Sequence, residues 1–231
     1  MMDISRVRAI TLDLDDTLWP IWPAIERAEI RMQEWLAPRA PRASALFSSV
    51  QTRLELRKEA QLATAHQAHD LSAIRLEMIR RGLARVGEET TLAPAALTVF
   101  MDARMQVELY ADVLPALAAL AGRYRIVAVS NGNADVHRIG IGQYFAASLS
   151  AGDVGVAKPD PRIFHAAASA LDVPPHQVLH VGDDAHLDVL GALQVGMQTA
   201  WVNRTEAVWT LEQQPHATVT DMAGLCRLLL G

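Results

Sequence analysis

The sequence predicts an α/β protein: a doubly wound parallel sheet, interrupted after its first strand by an all-helical insert. Three observations carry this. Residues 6–13 form an apolar, partly β-branched run without polar alternation, and the run ends in the acids Asp13, Asp15 and Asp16. Such a run suits a strand buried on both faces. From about 23 to 110, apolar residues recur at helical spacing and no strand-like alternation of useful length appears. From 112 onward, strand-like and helical runs alternate, which implies right-handed crossovers with helices on both faces of the sheet. The first strand therefore belongs with the second half. Residues 1–18 and 112–231 form the α/β core, and residues 19–111 form the insert.

In chain order, Pro20 and Pro23 delay the first helix to Pro23, which can occupy its first turn. About four helices follow. They are marked by Ile25, Ala28, Met32, Trp35 and Leu36, by Leu46, Phe47, Val50 and Leu54, by Leu71, Ile74 and Met78, and by Leu97, Phe100 and Met105. Pro38, Pro41, the polar run 64–70, Gly87 and Pro94 separate them. In the second half, 114–121 reads as a helix and 125–130 as a buried strand ending in Ser130-Asn131-Gly132. A helix starts near Ala134, and 145–150 is a short strand. Asp160 caps a helix with Pro161 at its first position. Residues 177–181 form a strand that runs into Gly182-Asp183-Asp184, with a helix to about Val195. Residues 197–202 form another strand. Thr205 is placed to cap a helix, 217–220 is the last strand, and Asp221 caps the C-terminal helix.

The 231 residues are 51% hydrophobic and 20% charged, enough for a substantial core. A net charge of −5 argues against a nucleic-acid partner. No apolar run approaches a membrane span and no signal segment is visible, so a cytoplasmic protein without a membrane partner is expected. The single cysteine, Cys226, lies among leucines and reads as a packed thiol. Lys58 and Lys158 are the only lysines, which makes their positions informative.

Asp13, Asp15 and Asp16 repel one another at a strand end, the place where open α/β sheets bind ligands. A chain tolerates such crowding when a cation or a phosphoryl-transfer reaction uses the carboxylates. Asp13-Leu14-Asp15-Asp16-Thr17 resembles the first motif, DxDxT, of the haloacid dehalogenase superfamily. Ser130 after its buried strand resembles the second motif, and Lys158 before a capped helix the third. Gly182-Asp183 with Asp188 resembles the fourth, GDxxxxD. On these residues the sequence is identified as a member of that superfamily, with its Rossmann-like core. The insert is similar to the family's type-one helical cap.

The resemblance implies a Mg²⁺-dependent phosphatase. Asp13 would be the nucleophile that forms an aspartyl-phosphate. Asp15 would be the general acid and then the base for water. Mg²⁺ would be held by Asp13, the Asp15 main-chain carbonyl and Asp183, with Asp188 behind them or reached through water. Ser130, Asn131, Gly132 and Lys158 would bind the phosphoryl group, and Thr17, also counted with the substrate-binding residues, would steady the turn and Asp15. The family's dehalogenases lack the second Asp, so Asp15 points to phosphate monoesters. Asp16 stands where many relatives carry Gly and has no assigned role. Leu114-Pro115-Ala116 replaces a common Pro-Gly.

The sequence around Ser130–Asn133, Ile141–Phe145 and His180–Asp184 is most similar to the bacterial branch that dephosphorylates flavin mononucleotide and 5-amino-6-(5-phosphoribitylamino)uracil. That implies a small phosphorylated metabolite as partner and a monomer or homodimer. Trp19, Trp22, His66, His69 and Arg75 are the candidates for selecting it, the aromatics by stacking on its ring and the cations by reaching its polar groups; for each, the alternative is cap core for the tryptophans and solvent exposure for the others. A sugar-phosphate phosphatase and a phosphomutase share all four motifs. A non-catalytic module would lack one of the motif residues, and none is missing.

Overall fold

The computed structural model describes residues 2–231. The chain forms two compact units, Met1–Pro20 with Glu108–Gly231, and Ile21–Val107. The crossings lie a few residues inside the expected ones. Trp19 is fully buried in the first unit, Asp16 N–H donates to the Trp19 carbonyl, and Tyr110 N–H donates to the Leu18 carbonyl. These bonds hold 18–20 and 108–111 to the sheet side.

The first unit is built on six parallel strands: β1 (Ala9–Leu12), β2 (Arg125–Ser130), β3 (Ala147–Ser150), β4 (Val178–Gly182), β5 (Gln198–Val202) and β6 (Ala217–Val219). Their order is β3-β2-β1-β4-β5-β6. β1 is central, and the chain runs outward from it in both directions. That creates the switch point at which open sheets place ligands. The registers Leu12↔Ala128 and Leu12↔Val181 bring the residues after β1, β2 and β4 to one edge. Ala9, Val127, Val129, Ile163, Phe164, Ala167 and Val178 form a core on one face of the sheet.

The helical unit holds α1 (Ile21–Leu36), α2 (Pro41–Phe47), α3 (Val50–Ala63), α4 (Leu71–Arg85) and α5 (Ala93–Arg104). Its own core includes Ala28, Met32, Phe47, Leu56, Ile79, Leu83 and Phe100. There are five helices where four are expected, because the Leu46–Leu54 pattern spans a break. Ser49 caps α3, its hydroxyl accepting from Thr52 N–H at 3.2 Å. Helix α1 begins two residues before Pro23, which sits within its first turn.

In the first unit α6 (Val113–Ala121) precedes β2, and α7 is only Val136–Ile139, ended by Gly140 at φ +90°. Helix α8 (Ala151–Val154) follows β3, and α9 (Pro161–Leu171) starts at the Asp160 cap. A π-helix, Ala185–Leu190, follows β4 and passes into α10 (Gly191–Gln194). No helix starts at Thr205. Asn203 Oδ1 accepts from Ala207 N–H and Glu206 adopts φ 56°, so 205–216 stays irregular. Helix α11 (Met222–Leu230) starts at the Asp221 cap and carries Cys226, half-buried, with its thiol raised by burial. Among the described residues no helix is long and apolar enough to cross a membrane.

Candidate active site

Asp13 is the first residue past β1, fixed by its N–H to the Val181 carbonyl at 2.9 Å. The turn after it winds back on itself: Leu18 N–H donates to the Leu14 carbonyl at 2.8 Å. Asp16 takes φ 60° within this turn. Glycine enters that left-handed region freely and Asp does so more readily than most residues, so Asp is tolerated here. The turn brings Thr17 back to Asp13, while Asp15 is held by Trp19.

Lys158 reaches the same edge from the loop before α9. Its buried Nζ lies 2.5 Å from Asp13 Oδ1 and 2.6 Å from Asp188 Oδ1. Thr17 Oγ1 lies 3.1 Å from Asp13 Oδ2 and 3.0 Å from Asp183 Oδ1, between two carboxylates. The Trp19 indole N–H donates to Asp15 Oδ1 at 2.9 Å. Ser130 is buried at the end of β2, and its Oγ accepts from Gly132 N–H at 2.9 Å. A Cβ on Gly132 would fall 2.5 Å from Asp15 Oδ2, so this position must be glycine for Asp15 to lie where it does.

Structure and expectation differ at two residues. The resemblance directs Asn131 to the phosphoryl group, but both ends of its amide hold the Lys158 backbone. Nδ2 donates to the Lys158 carbonyl at 2.9 Å, and Oδ1 accepts from Lys158 N–H at 2.6 Å. Trp19, expected to face a ligand ring, is instead packed beneath Asp15.

Asp188 is engaged at both oxygens: Oδ1 accepts from Lys158 and lies 3.1 Å from His180 Nε2, and Oδ2 accepts from Asp184 N–H at 3.1 Å. Asp184 caps the π-helix, accepting from His186 and Leu187 N–H. Several supporting residues carry no motif signal. His180, fully buried, bridges Thr11 Oγ1 at 2.8 Å and Asp188. Burial pushes its ring below the usual value, so it stays neutral, with Nε2–H donating to Asp188 and Nδ1 accepting from Thr11. Trp201 Nε1 donates to the Asp183 carbonyl at 2.6 Å. Arg204 Nε donates to the Thr17 carbonyl, while its other nitrogens clamp Asp112 at 3.1 and 2.8 Å. For these the only sequence signal is polarity on otherwise apolar strands or in loops far away along the chain.

The electrostatics call for a cation. Burial pushes the Asp13 carboxyl well above its usual value, and Asp188 and Asp183 add to this against the pull of Lys158. Burial, then Asp188 and Asp16, push Asp183 up to about 7. Burial alone would also raise Asp188, but Lys158 and His180 outweigh it and hold it below the ordinary range. Burial would lower Lys158; Asp13 and Asp188 reverse that and raise it, so it is fully charged. Three carboxylates against one ammonium leave a deficit that a divalent ion offsets. Oxygens of Asp13, Asp183 and Asp188 lie within 4.8 Å of one another. An all-oxygen set suits a hard cation such as Mg²⁺, Mn²⁺ or Ca²⁺.

Comparison with known proteins agrees with this arrangement. A family model described as haloacid dehalogenase-like hydrolase matches residues 7–196. The chain is 32% identical to the 5-amino-6-(5-phospho-D-ribitylamino)uracil phosphatase of Escherichia coli, over 98% of each chain. It is 29% identical to a phosphoserine phosphatase of Thermus thermophilus, over 94% of this chain and 96% of the other. The structure of a 2-haloacid dehalogenase from Pseudomonas syringae superposes with a TM-score of 0.90 at 34% identity, covering 97% of this chain and 98% of that one. A family match over that span, resting on the same strand ends that gather the carboxylates and the lysine, places this chain in the haloacid dehalogenase-like hydrolase family.

Proposed function

We propose that the chain, a phosphatase of this family, hydrolyses a small phosphate monoester with Mg²⁺ through an aspartyl-phosphate on Asp13. The observation that carries the reading is the pairing of Asp13, held against Lys158, with a second acid, Asp15, two residues on. Asp13 Oδ attacks phosphorus and the ester oxygen leaves with a proton from Asp15. Asp15 then takes a proton from the water that attacks the phosphoryl group, releasing phosphate and free Asp13. Lys158 and the Ser130–Gly132 turn offset the charge of the phosphoryl oxygens. Asp13 and Asp183, with Asp188 behind them, would hold Mg²⁺, which would supply charge stabilisation to those oxygens.

The proposed substrate is 5-amino-6-(5-phosphoribitylamino)uracil or flavin mononucleotide. The relative with 32% identity over the whole chain supports it. The helical insert is read as the cap that selects it. A hydrolysis screen across these two compounds, sugar phosphates, phosphoserine and nucleotides tests the choice. Failure to prefer ribityl compounds overturns it. The dehalogenase with a TM-score of 0.90 supports a second reading, halide displacement from a 2-haloacid. Asp15 favours the phosphatase, because a halide needs no proton to leave. Halide release in the same screen decides between them.

Two expected results follow from the geometry. Magnesium binds ionised carboxylates, and Asp183 keeps its proton up to about pH 7 in the metal-free protein. Its affinity should therefore rise with pH through about 7 and level off above. Calorimetric titration should show binding about tenfold weaker at about pH 6 than at about pH 8. The same raised carboxyl makes the metal-free fold lose stability between the ordinary carboxyl value and about 7, so the stabilisation by Mg²⁺ should be larger at the higher pH. Equal affinity at both would remove Asp183 from the metal site.

Trp19→Phe deletes the donor that orients Asp15. Turnover of an alkyl phosphate, whose leaving oxygen needs the proton, should fall about tenfold. Turnover of p-nitrophenyl phosphate, a better leaving group, should fall less. An equal loss on both would show that Trp19 acts through packing alone.

A further inference from the structure

Mg²⁺ tolerates little departure from octahedral geometry, so a site shared by Asp13 and Asp183 needs their carboxylates at a fixed spacing. The Thr17 hydroxyl bridges the two, 3.1 Å from Asp13 Oδ2 and 3.0 Å from Asp183 Oδ1. Asp13 is anchored in the sheet by its own N–H. Thr17 and Asp183 lie outside any strand, and the main-chain carbonyl of each is taken by a side chain from one short segment, 201–204. The β4–β5 ladder ends at the Gly182↔Trp201 pair, so the Asp183 carbonyl lies past its last rung. The indole N–H of buried Trp201 reaches that carbonyl at 2.6 Å. The indole ring is pinned edge-on by Trp209, with 4.9 Å between ring centroids.

Arg204 serves Thr17 in the same way, its Nε donating to the Thr17 carbonyl at 3.0 Å. Its other two nitrogens clamp Asp112, which also accepts from Met222 N–H at 2.7 Å, and its guanidinium lies 3.9 Å over the Tyr110 ring. Burial would raise Asp112, but these hydrogen bonds outweigh it and keep the carboxyl below its ordinary value, so the pair stays charged. The guanidinium charge is therefore matched where it sits, away from the carboxylates of the site. A side chain that only completed the fold could satisfy any unpaired carbonyl. These two satisfy the carbonyls at the two ends of one hydrogen bond, from Thr17 Oγ1 to Asp183 Oδ1. Partners that orient metal ligands from outside govern affinity through that orientation. We propose that Trp201 and Arg204 are positioning residues for the divalent-cation site, fixing Asp183 and Thr17 so that the Asp13 and Asp183 carboxylates stand ready for the ion. The proposal rests on the reading that these two carboxylates hold Mg²⁺.

Calorimetry of the whole protein with Mg²⁺ alone tests it. Trp201→Phe keeps a ring against Trp209 and deletes the N–H. Arg204→Lys keeps a charge for Asp112 and loses the fork that serves both acceptors. Each should weaken Mg²⁺ binding about tenfold. A double-mutant cycle separates positioning from general loosening of the fold. In a Thr17→Val background the hydroxyl that Arg204 holds is gone, so Arg204→Lys should change the affinity less than about twofold. Trp201→Phe acts on Asp183 itself and should still weaken binding there. Unchanged affinity in both single variants, even with a lower melting temperature, would overturn the proposal. So would a full tenfold loss from Arg204→Lys in the Thr17→Val background. Asp183→Asn checks the reading beneath it. A parent protein that binds no Mg²⁺, or Asp183→Asn protein that binds it as well as the parent, would remove the metal site and the proposal with it. Loss of binding in Asp183→Asn alone would overturn the positioning roles and leave the metal site standing.

Discussion

Asp13→Asn protein is expected to hydrolyse phosphate monoesters at least on the order of 10⁴-fold more slowly than the parent, while melting at the same temperature or higher. An amide cannot attack phosphorus, and no neighbouring carboxylate is free to replace it. Asp188 is held by Lys158, His180 and the Asp184 N–H, and Asp15 by Trp19. Stability moves the other way because the Asp13 carboxyl is raised by its burial and by Asp188 and Asp183, so its charged form is unfavourable in the metal-free fold. Asn keeps the shape and an acceptor for Lys158 and drops the charge. Steady-state kinetics and a melting curve on one sample check both halves. Retained turnover would remove Asp13 as nucleophile, and a large drop in melting temperature would make the kinetic loss uninformative about chemistry.

Lys158→Ala is expected to damage catalysis and fold together. Losing the ammonium leaves Asp13 and Asp188 facing each other in a buried site with no countercharge. Breaking a buried pair in this way costs about 3–5 kcal/mol, which for a chain of this size is roughly 10 °C in melting temperature. Turnover should fall on the order of 10²- to 10³-fold, as when a preorganised charge is removed from a transition state. The loss of stability has a pH signature. In the parent, the depressed Asp188 carboxyl contributes stability above the ordinary carboxyl value, and that contribution is lost as pH falls through its folded value. The deficit of the variant should therefore be widest near neutrality and close in acid. A deficit independent of pH would mean that Lys158 acts by packing. Unchanged turnover would remove it from the phosphoryl site.

The sheet was legible because β1, β2, β4 and β5 are apolar runs too short for helices, and the motif acids stand directly after two of them. Lys158 stood out through its rarity. What escaped was set by contacts between distant segments. His180 is one more polar residue on a strand until β4 is known to lie beside β1, which puts it opposite Thr11. Arg204 joins Thr17 and Asp112 across 187 and 92 positions of sequence. Trp19 reads from sequence either as an aromatic that stacks on a ligand ring or as core. The backbone turn at Asp16 folds it beneath Asp15. The Ser48-Ser49 break was masked by leucines and valine that keep helical spacing on both sides of it. Thr205 had the chemistry of a cap, but the Asn203 turn took the backbone elsewhere.

The π-helix after β4 adds one residue to the usual turn, with Val189 N–H reaching back to the Asp184 carbonyl at 3.2 Å. That extra residue sets the phase at which Asp188 meets Lys158 and His180, packed so closely over Gly182 that a Cβ there would fall 2.4 Å from it. Removing any one residue of 185–187 would let the turn close as an ordinary α-helix and swing the carboxylate by about 100° around the axis. Segment length is thus itself a heritable trait at this point of the chain. A one-residue deletion within 185–187 should therefore cost activity even with every motif residue in place.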